Sequence, residues 1–491
     1  MTNAANNRFF EHRRAGVLLH PTSLPSRFVE GGDLGPEAHR FLAFLNACGF
    51  SVWQMLPICP PHDDRSPYSA LSVRAGNHNL ISLDILHRRG LLQPEDLHLS
   101  RADALAQAAQ RFAQVLGADV ALAAEFQRFD DANAEWLDDF ALFIALRETN
   151  QYRGWFQWEP SLRAREKQAL ATQRQLLSSR IAAVKFEQFE FYRQWQELRV
   201  EAGRLGIALF GDMPIFVAHD SVDVWAQQQL FDLDVDGQPR TVAGVPPDYF
   251  SPTGQRWGNP QYDWQRMQRD DFAWWTARIA SQLHYFDLLR IDHFRGFEAY
   301  WEIDASCSTA VDGRWIKAPG DALLQKIFTE FPELPLVAEN LGLITPEVEA
   351  LRRKFQLPGM SVLQFAFDGS RENPYIPHRH TPLEVVYTGT HDNDTTLGWY
   401  RQLDEGARAR VDDYLGYPRE AMPRPLLRAA LASVARLAVI PMQDLLELDS
   451  AHRMNTPGTT EHNWRWQFDW SQIDEGLYGR LRHYLMLYGR C

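Results

Sequence analysis

The stretch LLRIDHFRG, Leu288–Gly296, sets an apolar run against the charges that end it. The run from Phe286 to Ile291 is broken by Arg290 and gives way to Asp292, His293 and Arg295. Burying such charges costs several kcal/mol unless each is paired, so the segment reads as a buried strand whose far end carries chemistry. Seven other runs share this form, ending in Gly, Pro, Asp, Glu, Asn or His: GVLLHP (Gly16–Pro21), SVWQMLP (Ser51–Pro57), IALFGDMP (Ile207–Pro214), PLVAENLG (Pro335–Gly342), SVLQFAFD (Ser361–Asp368), EVVYTGTHDN (Glu384–Asn393) and LAVIPMQD (Leu437–Asp444). Amphipathic stretches such as PEAHRFLAFLNACG and TPEVEALRRKF lie between most of them. Eight strands alternating with helices predict an α/β protein, a (β/α)8 TIM barrel, whose right-handed crossovers bring every strand's C-terminal end to one face.

Two spacings exceed a simple crossover. Between the second and third strands, residues 61–205 are expected to form an insertion of a loop followed by helices, since ADALAQAAQRFAQVLG and the segment from Ser178 to Gly206 have helical period. Between the third and fourth, residues 216–283 are expected to form aromatic, Pro/Gly-rich loops that cover substrate. The 491 residues thus read as one catalytic barrel with appended subdomains.

Composition narrows the function. A net charge of −13, with no Lys/Arg-rich run, argues against nucleic acid as a partner. MTNAANNRFFEHRRA lacks the apolar core of a signal peptide and no later run of eighteen apolar residues occurs, so no membrane partner and a cytoplasmic location are expected. Cys48, Cys59, Cys307 and Cys491 are scattered without C-x-x-C spacing, which predicts reduced thiols rather than a disulfide framework or zinc ribbon. Aromatics reach 12%, many in polar company as in EHNWRWQFDW. Core packing explains most of them, and flat faces beside polar groups also suit sugar rings.

The polar strand ends supply Asp212, Asp292, Glu339 and the pair His391 and Asp392, which a barrel would bring to one pocket. Arg290 precedes Asp292 by two residues and so shares its face of the strand. Asp292 can then act as a nucleophile kept ionised by a neighbouring cation, with Glu339 facing it as a carboxylic acid. Retaining glycoside chemistry needs this pairing: one carboxylate attacks the anomeric carbon while the other, roughly 5 Å away, gives and later takes the proton. Asp392 would bind sugar hydroxyls. One strand-end aspartate is commonly a turn or cap residue; several at coordinated ends are harder to assign so. HDND (His391–Asp394) lacks the further ligands of a catalytic metal, and DLDVDG (Asp232–Gly237) has Ala243 where a calcium loop needs a bidentate Glu, so no metal is expected and DLDVDG reads as a hairpin turn. His20, His78 and His219 are isolated and read as structural hydrogen-bonders.

Together, LLRIDHFRG, VAENLG, GTHDND, GDMPIFVAHDSVDVWA and GVPPDYFSPTGQRWGNPQYDW resemble the 4-α-glucanotransferases called amylomaltase or disproportionating enzyme, glycoside hydrolase family 77 of the α-amylase superfamily. The resemblance runs from GVLLHPTSLPS to NTPGTTEHNWRWQ, nearly the whole chain. It implies that Asp292 is the nucleophile, Glu339 the general acid/base and Asp392 the transition-state stabiliser. Arg290, His391 and Asp212 would surround the donor sugar; Ser66, Tyr68 and Asn463 would contact the glucan; Tyr249 and Phe250 would overhang the acceptor groove with Trp257 against the sugar. No cofactor is implied. Maltooligosaccharides, α-1,4-glucans and glucose would be donors and acceptors, and the chain would be a monomer or weak homo-oligomer serving maltose, maltodextrin or glycogen metabolism.

The sequence departs from the family pattern at two places. CPPHDDRSPY (Cys59–Tyr68) replaces a commoner GPTGYGDSPY, putting Asp63 where a tyrosine of a secondary glucan groove is usual; SVRAGNHNLI (Ser72–Ile81) replaces a commoner SAFAGNPLLI, which leaves the catalytic acids untouched. No separate starch-binding module is expected. An α-1,4-glucan hydrolase with the same acids is the nearest rival reading, and a non-catalytic glucan binder is disfavoured because it gains little from the acids together with Arg290 and His391.

Overall fold

The computed structural model describes residues 8–247 and 251–491. In chain order its strands are β1 (Arg14–Leu18), β2 (Val52–Gln54), β3 (Ala208–Met213), β4 (Thr241–Val245), β5 (Gln255–Pro260), β6 (Leu288–Ile291), β7 (Ala299–Asp304), β8 (Gly313–Lys317), β9 (Leu336–Ala338), β10 (Gly359–Val362), β11 (Glu384–Tyr387) and β12 (Leu437–Pro441). Each of the eight apolar runs contributes to one short parallel strand, in the order β10-β11-β12-β1-β2-β3-β6-β9, although the run Ser361–Asp368 gives the sheet only Ser361 and Val362 before a 3-10 turn over Leu363–Phe365. The Ala338 N–H donates to the Pro358 carbonyl at 2.9 Å and carries the sheet from β9 back toward β10, so the eight strands nearly close a (β/α)8 barrel.

The runs lack a strict apolar/polar alternation because both faces of these strands are covered. Leu18, Val52, Phe210, Leu288, Val337, Met360, Val385 and Leu437 fill the barrel interior. The alternate residues, such as Val17, Trp53, Leu209, Leu289 and Ile440, pack outward into the larger core shared with the helices. Pro36–Cys48 starts with proline, which needs no N–H there, and stops at Gly49 with φ 92°. Pro346–Lys354 begins in the same way after β9. Among the described residues no helix is long and apolar enough to cross a membrane.

Between β2 and β3 the chain runs through the helices Arg101–Leu116, Val120–Thr149 and Ser178–Arg204, which meet through Phe112, Phe126, Phe129 and Phe189. The last helix leads directly into β3 and is the crossover itself, so the segment read as residues 61–205 is not wholly an addition to the barrel. The expectation of loops over residues 216–283 needs a larger correction. That range contains β4, β5 and the helix Ala273–Leu283, and β4 and β5 join β7 and β8 in a four-stranded antiparallel sheet ordered β5-β4-β7-β8. Gly, Pro and exposed polar residues in GQRWGNP mask β5 as loop, because Gln255, Arg256 and Trp257, its first half, face solvent. DLDVDG forms a tight turn: the Asp234 N–H donates to the Gln238 carbonyl at 2.8 Å and Gly237 adopts φ 75°.

Gly211 lies in β3, one residue before Asp212, against the ring of Phe286. A Cβ there would meet the Phe286 ring at 2.2–2.6 Å, so the strand or the ring must move. Gly211→Ala is expected to destabilise the protein by about 1–3 kcal/mol, read as a lower midpoint in thermal or denaturant unfolding. An unchanged midpoint would show that β3 and the Phe286 ring are free to separate.

Candidate active site

Parallel register assembles the site. Asp212 of β3 and Arg290 of β6 are direct partners, and Ile291 of β6 is paired with Ala338 of β9. One residue further along, Asp292 and Glu339 leave their strands side by side: the Glu339 N–H donates to the Ile291 carbonyl at 3.0 Å and the Asp292 N–H to the Met213 carbonyl at 3.0 Å. The neighbouring strand ends thus place three carboxyl groups around one guanidinium.

Arg290 donates through Nη1 to Asp212 Oδ2 at 2.5 Å and through Nη2 to Asp292 Oδ1 at 2.8 Å. Its side chain is 6% exposed and that of Asp212 is fully buried, whereas Asp292 is 30% exposed and presents its carboxyl to the open end of the barrel. Asp212 Oδ2 also accepts the Tyr68 hydroxyl at 2.6 Å. That hydroxyl lies 2.9 Å from His391 Nε2, and the two rings stack with centroids 5.3 Å apart. His391 Nε2 is 3.3 Å from Asp392 Oδ2. A continuous polar chain therefore links Asp292, Arg290, Asp212, Tyr68, His391 and Asp392.

Glu339 is held by backbone. Its Oε2 accepts the His293 N–H and its Oε1 the Leu341 N–H, each at 2.7 Å. His293 adopts φ 52°, a left-handed conformation that is uncommon for a non-glycine residue and that turns the chain sharply just after β6. Trp257, in β5, sets its ring edge-on to His293 at 4.8 Å and is 38% exposed.

Burial drives the electrostatics. It pushes the Asp292 carboxyl up to about 8 against the pull of Arg290, and raises Glu339 as well. Burial also lowers His391, with Asp392 opposing, which keeps the imidazole neutral at neutral pH. Asp212, Asp292 and Glu339 share the one guanidinium of Arg290, and a proton retained by the Asp292–Glu339 pair relieves the excess of negative charge.

Most of the residues read from the sequence converge here: Asp212, Arg290, Asp292, Glu339, His391, Asp392 and Tyr68, with Trp257 at the edge. Ser66 lies on the Tyr68 loop, where its N–H donates to Asp64 Oδ1 and its carbonyl accepts from Ser69. Asn463 accepts the Thr456 N–H at 2.9 Å and donates to the Thr459 carbonyl at 2.9 Å, so in this structure its amide ties its own loop together. Tyr249 and Phe250 lie outside the described residues. Asp394, the last residue of HDND, points away to Ser450 and Gln402, and no group of three or more His, Cys, Asp or Glu among the described residues is placed to hold a metal.

Two contributors escaped sequence reasoning: Asn455 Nδ2 donates to Asp392 Oδ1 at 2.6 Å, and Arg453 donates to the Asp392 carbonyl at 3.0 Å. Both lie about sixty residues beyond Asp392, and no local pattern connects them to it. Trp464, which belongs with Asn463 to the NW segment that the family resemblance assigns to the donor side, packs 6.0 Å from both Tyr68 and His391.

The family model described as 4-alpha-glucanotransferase matches residues 19–472. A 4-alpha-glucanotransferase of Thermus thermophilus is 48% identical over 490 residues, covering 96% of this chain and 97% of that protein. One from Synechocystis is 46% identical, covering 98% of each. Among solved structures, an amylomaltase from Streptococcus agalactiae in complex with acarbose superposes with a TM-score of 0.94 at 37% identity, over 97% of this chain and 99% of that one.

A raised folded-state pKa has a defined effect on stability. Asp292 rises from 3.8 to about 8, so the folded protein holds that proton more tightly than the unfolded chain. Its contribution is therefore fully present below about pH 4 and falls as the pH rises to about 8. Asp292→Asn should unfold at a higher temperature than the parent at pH 8, with the difference shrinking toward pH 4 in melts across that range. A pH-independent difference would contradict the desolvated placement of Asp292.

Proposed function

We propose, from the premise that this chain belongs to the 4-alpha-glucanotransferase family, that its carboxylate cluster transfers α-1,4-glucan segments by a retaining double displacement. The enzyme is a 4-alpha-glucanotransferase; the assignment of roles within the site is our reading. The observation that carries it is the unequal holding of two carboxyls on neighbouring strand ends: Asp292 is paired to Arg290 and open to the pocket, while Glu339 is fixed by two backbone N–H groups.

In the first step Asp292 attacks the anomeric carbon of the donor. The bond to the leaving 4-oxygen breaks, Glu339 protonates that oxygen, and a β-glycosyl ester forms on Asp292. In the second step Glu339, now ionised, takes the proton from the 4-hydroxyl of an acceptor glucan or glucose, which displaces Asp292 and restores the α-linkage. With the proton of the pair held on Glu339, the Arg290 guanidinium favours the anionic form of Asp292 for attack and stabilises it as the leaving group. Asp392, oriented by Asn455 and beside neutral His391, binds sugar hydroxyls and favours the flattened oxocarbenium-like ring. Trp257 offers an apolar face for the acceptor, and Tyr68, Ser66 and Asn463 are assigned to the glucan on the donor side. Tyr249 and Phe250 are assigned to covering the acceptor groove, which lowers water access to the ester. No cofactor or metal enters these steps. Maltose, maltodextrin or glycogen metabolism in the cytoplasm is the physiological setting proposed.

Incubation with maltotriose separates transfer from hydrolysis on the same acids. Transfer yields glucose and longer maltooligosaccharides at a constant number of reducing ends, since each broken linkage is replaced. A rising reducing-end count with only shorter products would assign hydrolysis instead. Asp292→Asn and Glu339→Gln should each lower kcat by several orders of magnitude with the fold retained. Near-normal turnover in either would remove that residue from the mechanism.

A further inference from the structure

We propose that a second cleft, separate from the carboxylate cluster, binds a neutral maltooligosaccharide segment; the choice of ligand rests on the glucan substrate proposed above. The cleft has a volume of about 620 Å³ and lies between the helix carrying Trp136, the segment Val222–Leu230 and the residues from Arg266 to Trp274. Arg74 lines it together with Asp223 and Gln227. None of Asp212, Asp292, Glu339 and Asp392 borders it.

Three observations point to a ligand. The first is Arg74. Its side chain is only 9% exposed, yet among the described residues its guanidinium makes no hydrogen bond and one ion pair, at 3.4 Å, to Glu135, which is itself 77% exposed. A buried guanidinium with such a loose partner has donors available to a ligand in the cleft. It also stands where SVRAGNHNLI departs from the commoner SAFAGNPLLI, so the charge is a property of this chain.

The second is charge balance. Arg74, Arg266 and Arg269 face Glu135 and Asp270 along the walls. Of the two remaining acids, Asp139 is paired with Arg165 and Arg174, while Asp223 accepts the Val73 N–H at 2.9 Å and lies within the fields of Arg74 and Arg278 without a direct bond to either. Positive and negative groups interleave, which suits neither a polyanion nor a cation. The third is the combination of indoles with amides: Trp136 and Trp274 border the same space as Gln227 and Gln229. Aromatic faces beside mixed donors and acceptors match a ligand with apolar C–H faces and a hydroxyl rim, and the volume suits an oligosaccharide.

The cleft is also wired to the acids. Tyr68 and Arg74 lie on one short segment, with Tyr68 bonded to Asp212 and Val73 bonded to Asp223. On the other side, rings run from Trp274 through Tyr262, Phe216 and Trp257 to His293, with centroid separations of 5.7, 6.0, 6.3 and 4.8 Å. The His293 N–H is one of the two that hold Glu339.

Hydrogen–deuterium exchange of the full chain carrying Asp292→Asn, with and without maltoheptaose, tests the proposal. Protection is expected in two places: around Tyr68 and His391, and separately over residues 132–140, 222–230 and 266–274. Adding Trp136→Ala or Arg74→Phe should weaken the second protection about fivefold or more in maltoheptaose titrations, leaving the first unchanged. Arg74→Phe introduces the residue commoner at that position, which guards against mere misfolding. Protection confined to the Tyr68 and His391 region, or cleft protection unaltered by both substitutions, overturns the inference. Cleft protection without protection at Tyr68 and His391 would instead overturn the proposed active site and leave the cleft standing.

Discussion

The ion pairs of Arg290 with Asp212 and Asp292 are the interaction on which the site depends. A guanidinium this deeply buried is stable only with its charge matched and its donors occupied, and removing the guanidinium itself costs about 3–5 kcal/mol because the carboxylates around it are left buried and uncompensated. The constraint acts in both directions along the chain. It fixes the alignment of β3 on β6, since Asp212 and Arg290 are register partners, and it fixes the direction of Asp292 at the end of β6. Because β9 pairs with β6, the same alignment delivers Glu339 beside Asp292. Barrel register and catalytic geometry are one property of this sheet.

Asp212 and Asp292 bind the same guanidinium but are differently placed. Asp212 is fully buried and also accepts the Tyr68 hydroxyl, so it behaves as a strut between Arg290 and the Tyr68–His391 stack. Asp292 keeps part of its surface open and, among the described residues, gains Arg290 alone as a charged partner, so its charge state responds to whatever enters the pocket. Asp392 is the most exposed of the acids, at 47%, and is steered from behind by Asn455 and Arg453. The cluster thus grades from rigid to available in the direction a sugar would approach.

How much of this could be read in advance follows from where the information lies. The barrel was legible because each strand is short, buried on both faces and stopped by a residue no core tolerates, so LLRID and LVAEN announce both a strand and a strand end. The principal acids were legible for the same reason. The antiparallel sheet was not: the first half of β5 is exposed, and β4 pairs with β7, so half of its partners come from beyond the next barrel strand. The hold of Asn455 on Asp392 spans sixty-three residues and leaves no periodicity. Asn463 likewise makes its hydrogen bonds within the Thr456–Thr459 loop, contacts that no local pattern announces. Sequence carries residue type and local period well, and carries the contacts between distant loops poorly.

The central claim is that Asp292 becomes covalently attached to the donor sugar, and the most direct measurement is to trap that species. Glu339→Gln, incubated with α-maltosyl fluoride, should form the ester without needing an acid and then lack the base to resolve it. Peptide mass spectrometry is predicted to find one maltosyl unit on the segment containing Leu288–Gly296, localised to Asp292. Fluoride release without any protein adduct, or an adduct on Asp392 or Asp212 with Asp292 unmodified, would contradict the account.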